Sequence, residues 1–257
     1  MRKLLLPLLT LAAVTLFLGP PAVAAGTLRI LAYEGYADDD WIKAFEHQTG
    51  ARVNVVFAGS PEEMFAKMQG SAGADYDLVA IDTSIVKRYL DNGLIQPMDE
   101  SKLTNLPNLQ PAFAGIPQTR PDGKRYAVPI AWGSLGLVYS LDEFKEAPTS
   151  WNVLWDPKYK GRVLKVGYLV PKEGAVGWVD CWGISSKAAA VDLAHAWINF
   201  WLQPEIGQAM SDRYSYGNTT SAAVGFDYAD RLVWLAAPES YEMRTQLWNE
   251  VKAAPAQ

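Results

Sequence analysis

Between Leu28 and Gly93 the sequence alternates three times between a short apolar run and a segment with helical spacing. Leu28 to Tyr33 reads as a buried strand, residues 38 to 49 as a helix with Trp41, Phe45 and Gln48 on one stripe and Gly50 just past its end, and Val53 to Phe57 as the next strand. Ser60-Pro61-Glu62-Glu63 combines an N-cap hydroxyl, a first-turn proline and a glutamate three residues on, which starts a helix whose apolar face is Met64, Phe65 and Met68. Tyr76 to Ile81 is a third strand, followed by a helical stretch from Thr83 that ends at Asn92-Gly93. This order predicts an α/β fold with a parallel sheet covered on both faces. In such sheets ligands meet the loops at the carboxyl ends of the strands, so 33 to 38, 58 to 61 and 81 to 85 are the candidate loops.

The remainder is less regular. Residues 99 to 125 are rich in Pro, Asn and Gly and read as a surface connection with one short turn of helix. Tyr126 to Ile130 and Leu135 to Ser140 read as two strands around Trp132-Gly133. Ala188 to Leu202 is a strongly amphipathic helix with Val191, Ala194, Ile198, Trp201 and Leu202 along one face, and Pro204 opens the next helix. Residues 239 to 252 form a last helix.

Several function classes are disfavoured by what the chain contains. At 257 residues and 49% hydrophobic it can bury a sizeable core, and a net charge of -5 with 23 Lys+Arg supplies no basic stripe, so no nucleic-acid partner is expected. Cys181 is the only cysteine, which allows no internal disulfide, and His47 and His195 sit in unrelated segments without zinc-ligand spacing. No nucleophile elbow, phosphate-binding loop or dinucleotide fingerprint is present, so neither an enzyme nor a cofactor is expected. Arg2 and Lys3, the apolar run from Leu4 to Leu18 and Ala22-Val23-Ala24 fit a secretory signal peptide over residues 1–24 that is cleaved on export. The expected location is periplasmic.

Longer stretches carry a resemblance. Leu31-Ala32-Tyr33-Glu34-Gly35-Tyr36, Tyr76-Asp77-Leu78-Val79 and Val128-Pro129-Ile130-Ala131-Trp132-Gly133 are followed by a run S-W-x-x-L-W-x-P-x-Y-K-G from Ser150 to Gly161. Pro171-Lys172-Glu173-Gly174 then precedes Trp178-Val179-Asp180. In this order the stretches resemble the periplasmic solute-binding proteins of bacterial ABC importers, of the spermidine/putrescine-binding type. The resemblance implies a periplasmic-binding-protein-like fold of two α/β lobes closing over a solute, a permease partner in the inner membrane and a monomeric state. It places lobe one at 27–133 plus 179–224 and lobe two at 134–178 plus 225–257. Lobe two is shortened, because Gly161 to Val166 runs almost directly into Gly167 to Pro171 where relatives carry a long segment.

A polyamine needs carboxylates for its ammonium ends and aromatic faces along its methylenes; an ammonium over an aromatic ring gains about 0.5–2 kcal/mol. The resemblance places Tyr33, Glu34 and Tyr36 at the first loop, Asp82 and Thr83 at the third, Trp132 at one crossover, Trp178 with Asp180 at the other, and Tyr216 in a loop of lobe one. Trp178 and Asp180 form the strongest pair, since strand alternation puts both on one face. Tyr33 reads equally as core and Trp132 as filler of the hinge. Relatives carry Trp where Tyr33 stands, and the acidic residues they place after the Tyr-Lys-Gly strand have no counterpart here. Three alternatives stay open: a ferric-ion binder using Tyr214 and Tyr216, a secreted enzyme acting through Glu34, Asp82 and Asp180, and a shortened relative that no longer captures solute.

Overall fold

The computed structural model describes residues 26–159, 166–220 and 231–253. The expected leader, the Val224 boundary and Lys160 to Lys165 lie outside the described residues.

The apolar run at the start is buried on both faces, as a central parallel strand requires: Leu28, Ile30, Leu31 and Ala32 of β1 (Thr27–Ala32) have no exposed surface. α1 (Asp39–Thr49) follows, stopped by Gly50 in the left-handed conformation at φ 71°. Trp41 and Phe45 are buried on α1, whereas Gln48 is exposed; its stripe position lies in the last turn, beyond the covered part of the helix. β2 (Arg52–Phe57) leads into α2 (Pro61–Gly70), where the Ser60 side chain accepts from the Glu63 amide at 3.2 Å and Met64, Phe65 and Met68 point inward. β3 (Leu78–Asp82) and α3 (Val86–Asp91) complete the alternation. β1 pairs in parallel with both β2 and β3.

Residues 99 to 125 contain three short 3-10 turns and α4 (Pro111–Ala114). They are more than a surface connection, because Leu103, Leu109 and Phe113 are buried and the segment packs along a later helix. β4 (Ala127–Ser134) runs unbroken through Trp132-Gly133, so these two residues lie within a strand and not between two. The other elements are β5 (Leu137–Ser140), β6 (Val166–Leu169), β7 (Ala175–Ile184), α5 (Val191–Trp201), α6 (Pro204–Tyr214), β8 (Gly217–Asn218), β9 (Leu232–Trp234) and α7 (Tyr241–Ala253).

The main sheet has the order β2-β1-β3-β7-β4-β8, with β9 beside the start of β7. It is mixed. β7 is antiparallel to β3 and to β4, so the parallel rule holds only for the block built by the early alternation. β5 and β6 form a separate antiparallel pair. Val138, Tyr168 and, on α7, Met243, Leu247 and Trp248 remain at least half exposed, so this part of the chain is thinly covered.

α5 is buried on more than the one face its pattern suggests, because the 99–125 segment covers its outer side: the Asp99 amide donates to His195 Nε2 at 3.0 Å and the Asn105 amide to Asn199 Oδ1 at 2.7 Å. With His195 Nδ1 at 2.8 Å from the Val191 carbonyl, this histidine is a structural link. Trp197 and Trp201 of α5 meet Trp182 of β7, Phe45 and Trp41 edge to face, and this aromatic block takes up four of the ten tryptophans as core. The fully buried Asp77 accepts from the amide, Nε and Nη2 of Arg29 and from the amides of Ala189 and Ala190, tying β1, β3 and the entry to α5 together. Among the described residues no helix is long and apolar enough to cross a membrane.

Candidate functional site

The three loops at the carboxyl ends of β1, β2 and β3 converge on one cavity of about 380 Å³. Tyr33, Glu34 and Tyr36 enter from the first, Pro61 from the second and Asp82 from the third. Trp178 and Asp180 of β7, Tyr216 from the turn after α6 and Leu235 beyond β9 complete the lining.

Local geometry fixes each side chain. Gly35 has φ +90°, a conformation that side-chain-bearing residues rarely adopt, and the Tyr214 ring lies over it, so the chain turns sharply between Glu34 and Tyr36. Asp38 accepts from Arg213 and from the Tyr214 hydroxyl at 2.7 Å, which locks this turn onto the end of α6. Tyr36 is 1% exposed, donates to Asp180 and packs edge to face against Trp182 and Trp201, with centroids 6.3 and 6.0 Å away. Asp82 ends β3 and accepts the Ser84 amide at 2.8 Å and the Ser84 hydroxyl at 2.5 Å on one oxygen. The Trp178 ring sits where a side chain at Gly133 would stand, and meets Tyr216 edge to face at 4.9 Å.

The two acids are direct neighbours. Asp82 is opposite Asp180 in the β3–β7 ladder, and the Thr83 amide donates to the Val179 carbonyl at 3.0 Å. The acids therefore form a non-hydrogen-bonded pair, the kind in which facing side chains lie closest. Each is only 9% exposed. Burial, with the Asp82 charge adding to it and the Tyr36 hydrogen bond partly opposing it, pushes the Asp180 carboxyl up to about 7. Burial and then the Asp180 charge raise the Tyr36 and Tyr33 hydroxyls, keeping both protonated as donors. The result is an acidic floor with aromatic walls, suited to a desolvated organic cation.

Thr83 and Trp132 do not line this cavity. Thr83 is 2% exposed and donates to the Leu235 carbonyl at 3.1 Å, holding the segment after β9 in place. Trp132 is 3% exposed, donates to the Asn218 carbonyl at 3.2 Å and packs on Phe113 and Trp234, the filling role left open above. Pro61 and Leu235 join the lining beyond the expected ligand-binding residues: Pro61, expected as a helix-starting proline, falls in a candidate loop, whereas an apolar residue beyond a three-residue strand carries no sequence signal. Tyr214 is committed to Asp38, so the two tyrosines do not face the cavity together. Among the described residues no three His, Cys, Asp or Glu side chains are grouped to hold a metal ion. A larger groove of about 760 Å³ runs along α7 opposite Arg88 and contains none of the candidate residues.

Two family models, both described as bacterial extracellular solute-binding protein, match residues 40–164 and 164–237. The chain belongs to the bacterial extracellular solute-binding proteins. Within this family it is 34% identical over 158 residues to the spermidine/putrescine-binding periplasmic protein of Escherichia coli (strain K12), covering 60% of this chain and 45% of that one. The chain thus spans about half the length of the curated relatives it matches in this way. A longer alignment, 23% identical over 365 positions and 98% of each chain, relates it to the putrescine-binding periplasmic protein PotF of the same organism. The putative spermidine/putrescine ABC transporter of Listeria monocytogenes superposes with a TM-score of 0.77 at 22% identity, over 88% of this chain and 99% of that one. PotD of Streptococcus pneumoniae gives 0.75 at 18%, over 89% and 98%. The fold is periplasmic-binding-protein-like, in a chain shorter than its full-length relatives.

Proposed function

We propose that this family member captures a small polyamine-type cation, such as putrescine or spermidine, and delivers it to an ABC permease in the inner membrane. The observation that carries the reading is the floor of the cavity: Asp82 and Asp180 side by side, ringed by Tyr33, Tyr36, Trp178 and Tyr216. The relatives named above for spermidine and putrescine support the same solute class. Glu34, exposed at the rim, adds charge for a second ammonium. Thr83 and Trp132 serve the site from behind its lining. The reading includes export through a cleaved leader at 1–24, a periplasmic location, a monomer of two lobes divided as above, and a role without catalysis.

Calorimetric titration of the purified protein with putrescine, spermidine, a neutral diol and a dicarboxylate tests this. Saturable binding of the amines alone, at one per chain, is the expected result. Equal response to the diol, or none to any amine, would overturn it.

A further inference from the structure

The Asp82–Asp180 pair poses a charge problem that a cation would solve. The two carboxylates face each other across adjacent strands, each nine-tenths buried. Among the described residues no lysine or arginine forms an ion pair with either of them. Two like charges this close in a poorly solvated site do not both ionise readily. The charged and titratable groups around them do not change this sign. The β1–α1 loop offers only hydroxyls, Tyr33 and Tyr36, and the acidic Glu34; the turn after α6 offers Tyr216. β4 presents Ala131 opposite Asp180. Near Asp82, Tyr89 and Tyr241 add hydroxyls, while Arg88 is stacked on the Phe65 ring and Glu62 is paired with Arg244. Behind Asp180, Cys181 is buried, and Arg125 is engaged by Glu100.

We propose that this pair is a proton-exchange subsite, which holds one shared proton in the ligand-free protein and releases it to solvent as an ammonium group enters. The inference rests on the cation-receptor reading and adds a regulation to it. The balance is simple: the pair with its proton carries one negative charge, the entering ammonium keeps its own protons, and the complex has two carboxylates around one cation with one proton passed to the buffer. Binding is therefore weakened by acid. With the Asp180 carboxyl at about 7, affinity at pH 6 is about tenfold lower than at pH 8.

Two measurements decide this, and they fail separately. In the ligand-free protein, carboxyl-carbon NMR of labelled aspartates is followed from pH 4 to 9. One aspartate titrating near neutrality, and shifting to acid in Asp82→Asn, is the expected result; all aspartates titrating below pH 5 in the unsubstituted protein would overturn the shared proton whatever the variant does. Calorimetry with putrescine in buffers of different ionisation heat then counts protons. Nearly one released per putrescine at pH 6 and nearly none at pH 8.5 is expected, and a pH-independent count of zero would overturn the exchange. If no amine binds, the receptor reading fails, while the carboxyl titration still decides the shared proton by itself.

Discussion

Tyr36 donates its hydroxyl hydrogen to Asp180 across 144 positions of sequence. The bond joins the loop after β1 to the central strand β7, and because the Tyr36 ring is packed among Trp182 and Trp201, it also fixes the floor of the cavity to the aromatic core.

Tyr36→Phe deletes the hydroxyl and keeps the ring. A buried carboxylate loses a donor, so the fold is expected to lose about 1–3 kcal/mol in urea unfolding at pH 8. The lost bond is one that lowers the Asp180 pKa, so the carboxyl should titrate higher in the variant. An unchanged titration would show that the bond contributes nothing to the charge state.

Asp180→Asn should gain stability relative to the parent as pH rises. Burial lifts the folded-state carboxyl from 3.8 to about 7, so its contribution is fully present below the unfolded value and is lost as pH rises through the folded one. Asparagine has no such dependence and still accepts from Tyr36. Between pH 4 and pH 8 the difference should grow by up to about 4 kcal/mol in favour of the variant. A difference independent of pH would contradict the raised pKa.

Asp77→Asn should act in the opposite sense. Burial works against the Asp77 charge, but the hydrogen bonds from Arg29, Ala190 and Ala189 outweigh it and hold the carboxyl below its ordinary value. Stability from this group is present above the unfolded value and lost as pH falls through the folded one. Arg29 is 31% exposed, so the variant should cost about 2–3 kcal/mol at pH 7, less than a fully buried pair, and the cost should shrink in acid. Denaturant midpoints at pH 7 and pH 3 provide the check.

Gly133→Ala places a methyl group where the Trp178 ring lies, so the ring must move. If Trp178 covers a bound ammonium, putrescine affinity should fall by about threefold to thirtyfold, the worth of one cation–π contact. Trp178→Ala should cost about as much, and the double variant no more than either, because all three remove one contact. Additive losses would show that Gly133→Ala acts by a route other than the ring, and no loss in Trp178→Ala would place the ring outside the binding surface.

The early alternation made β1 to α3 and the three converging loops readable, since periodicity, the Ser60 cap and Gly50 are local signals. The insertion of β7 between β3 and β4 was not readable, because nothing near Trp178 encodes that its strand pairs with Leu78–Asp82 almost a hundred residues earlier. For the same reason Asp82 and Asp180 could be named separately but not as neighbours. Trp132 shows the limit for aromatic residues: its type suits a ligand wall and a packed hinge equally, and the burial that distinguishes them depends on Asn218 and Trp234 from distant segments. Leu235 reaches the lining because two distant segments hold its backbone: the Thr83 hydroxyl donates to its carbonyl and its amide donates to the Gly177 carbonyl.

The pairing of β3 with β7 also sets how durable the site is. β7 has β3 on one side and β4 on the other, so Asp82 and Asp180 cannot separate by the fraying that opens loops and edges. Amide hydrogens in this ladder should exchange with solvent only when the whole molecule unfolds, whereas those around Glu34, Tyr216 and Leu235 exchange through small local openings. On the proposed cation-receptor reading, preference for positive charge is thus as lasting as the fold, and preference for ligand length or bulk is left to a rim that can drift.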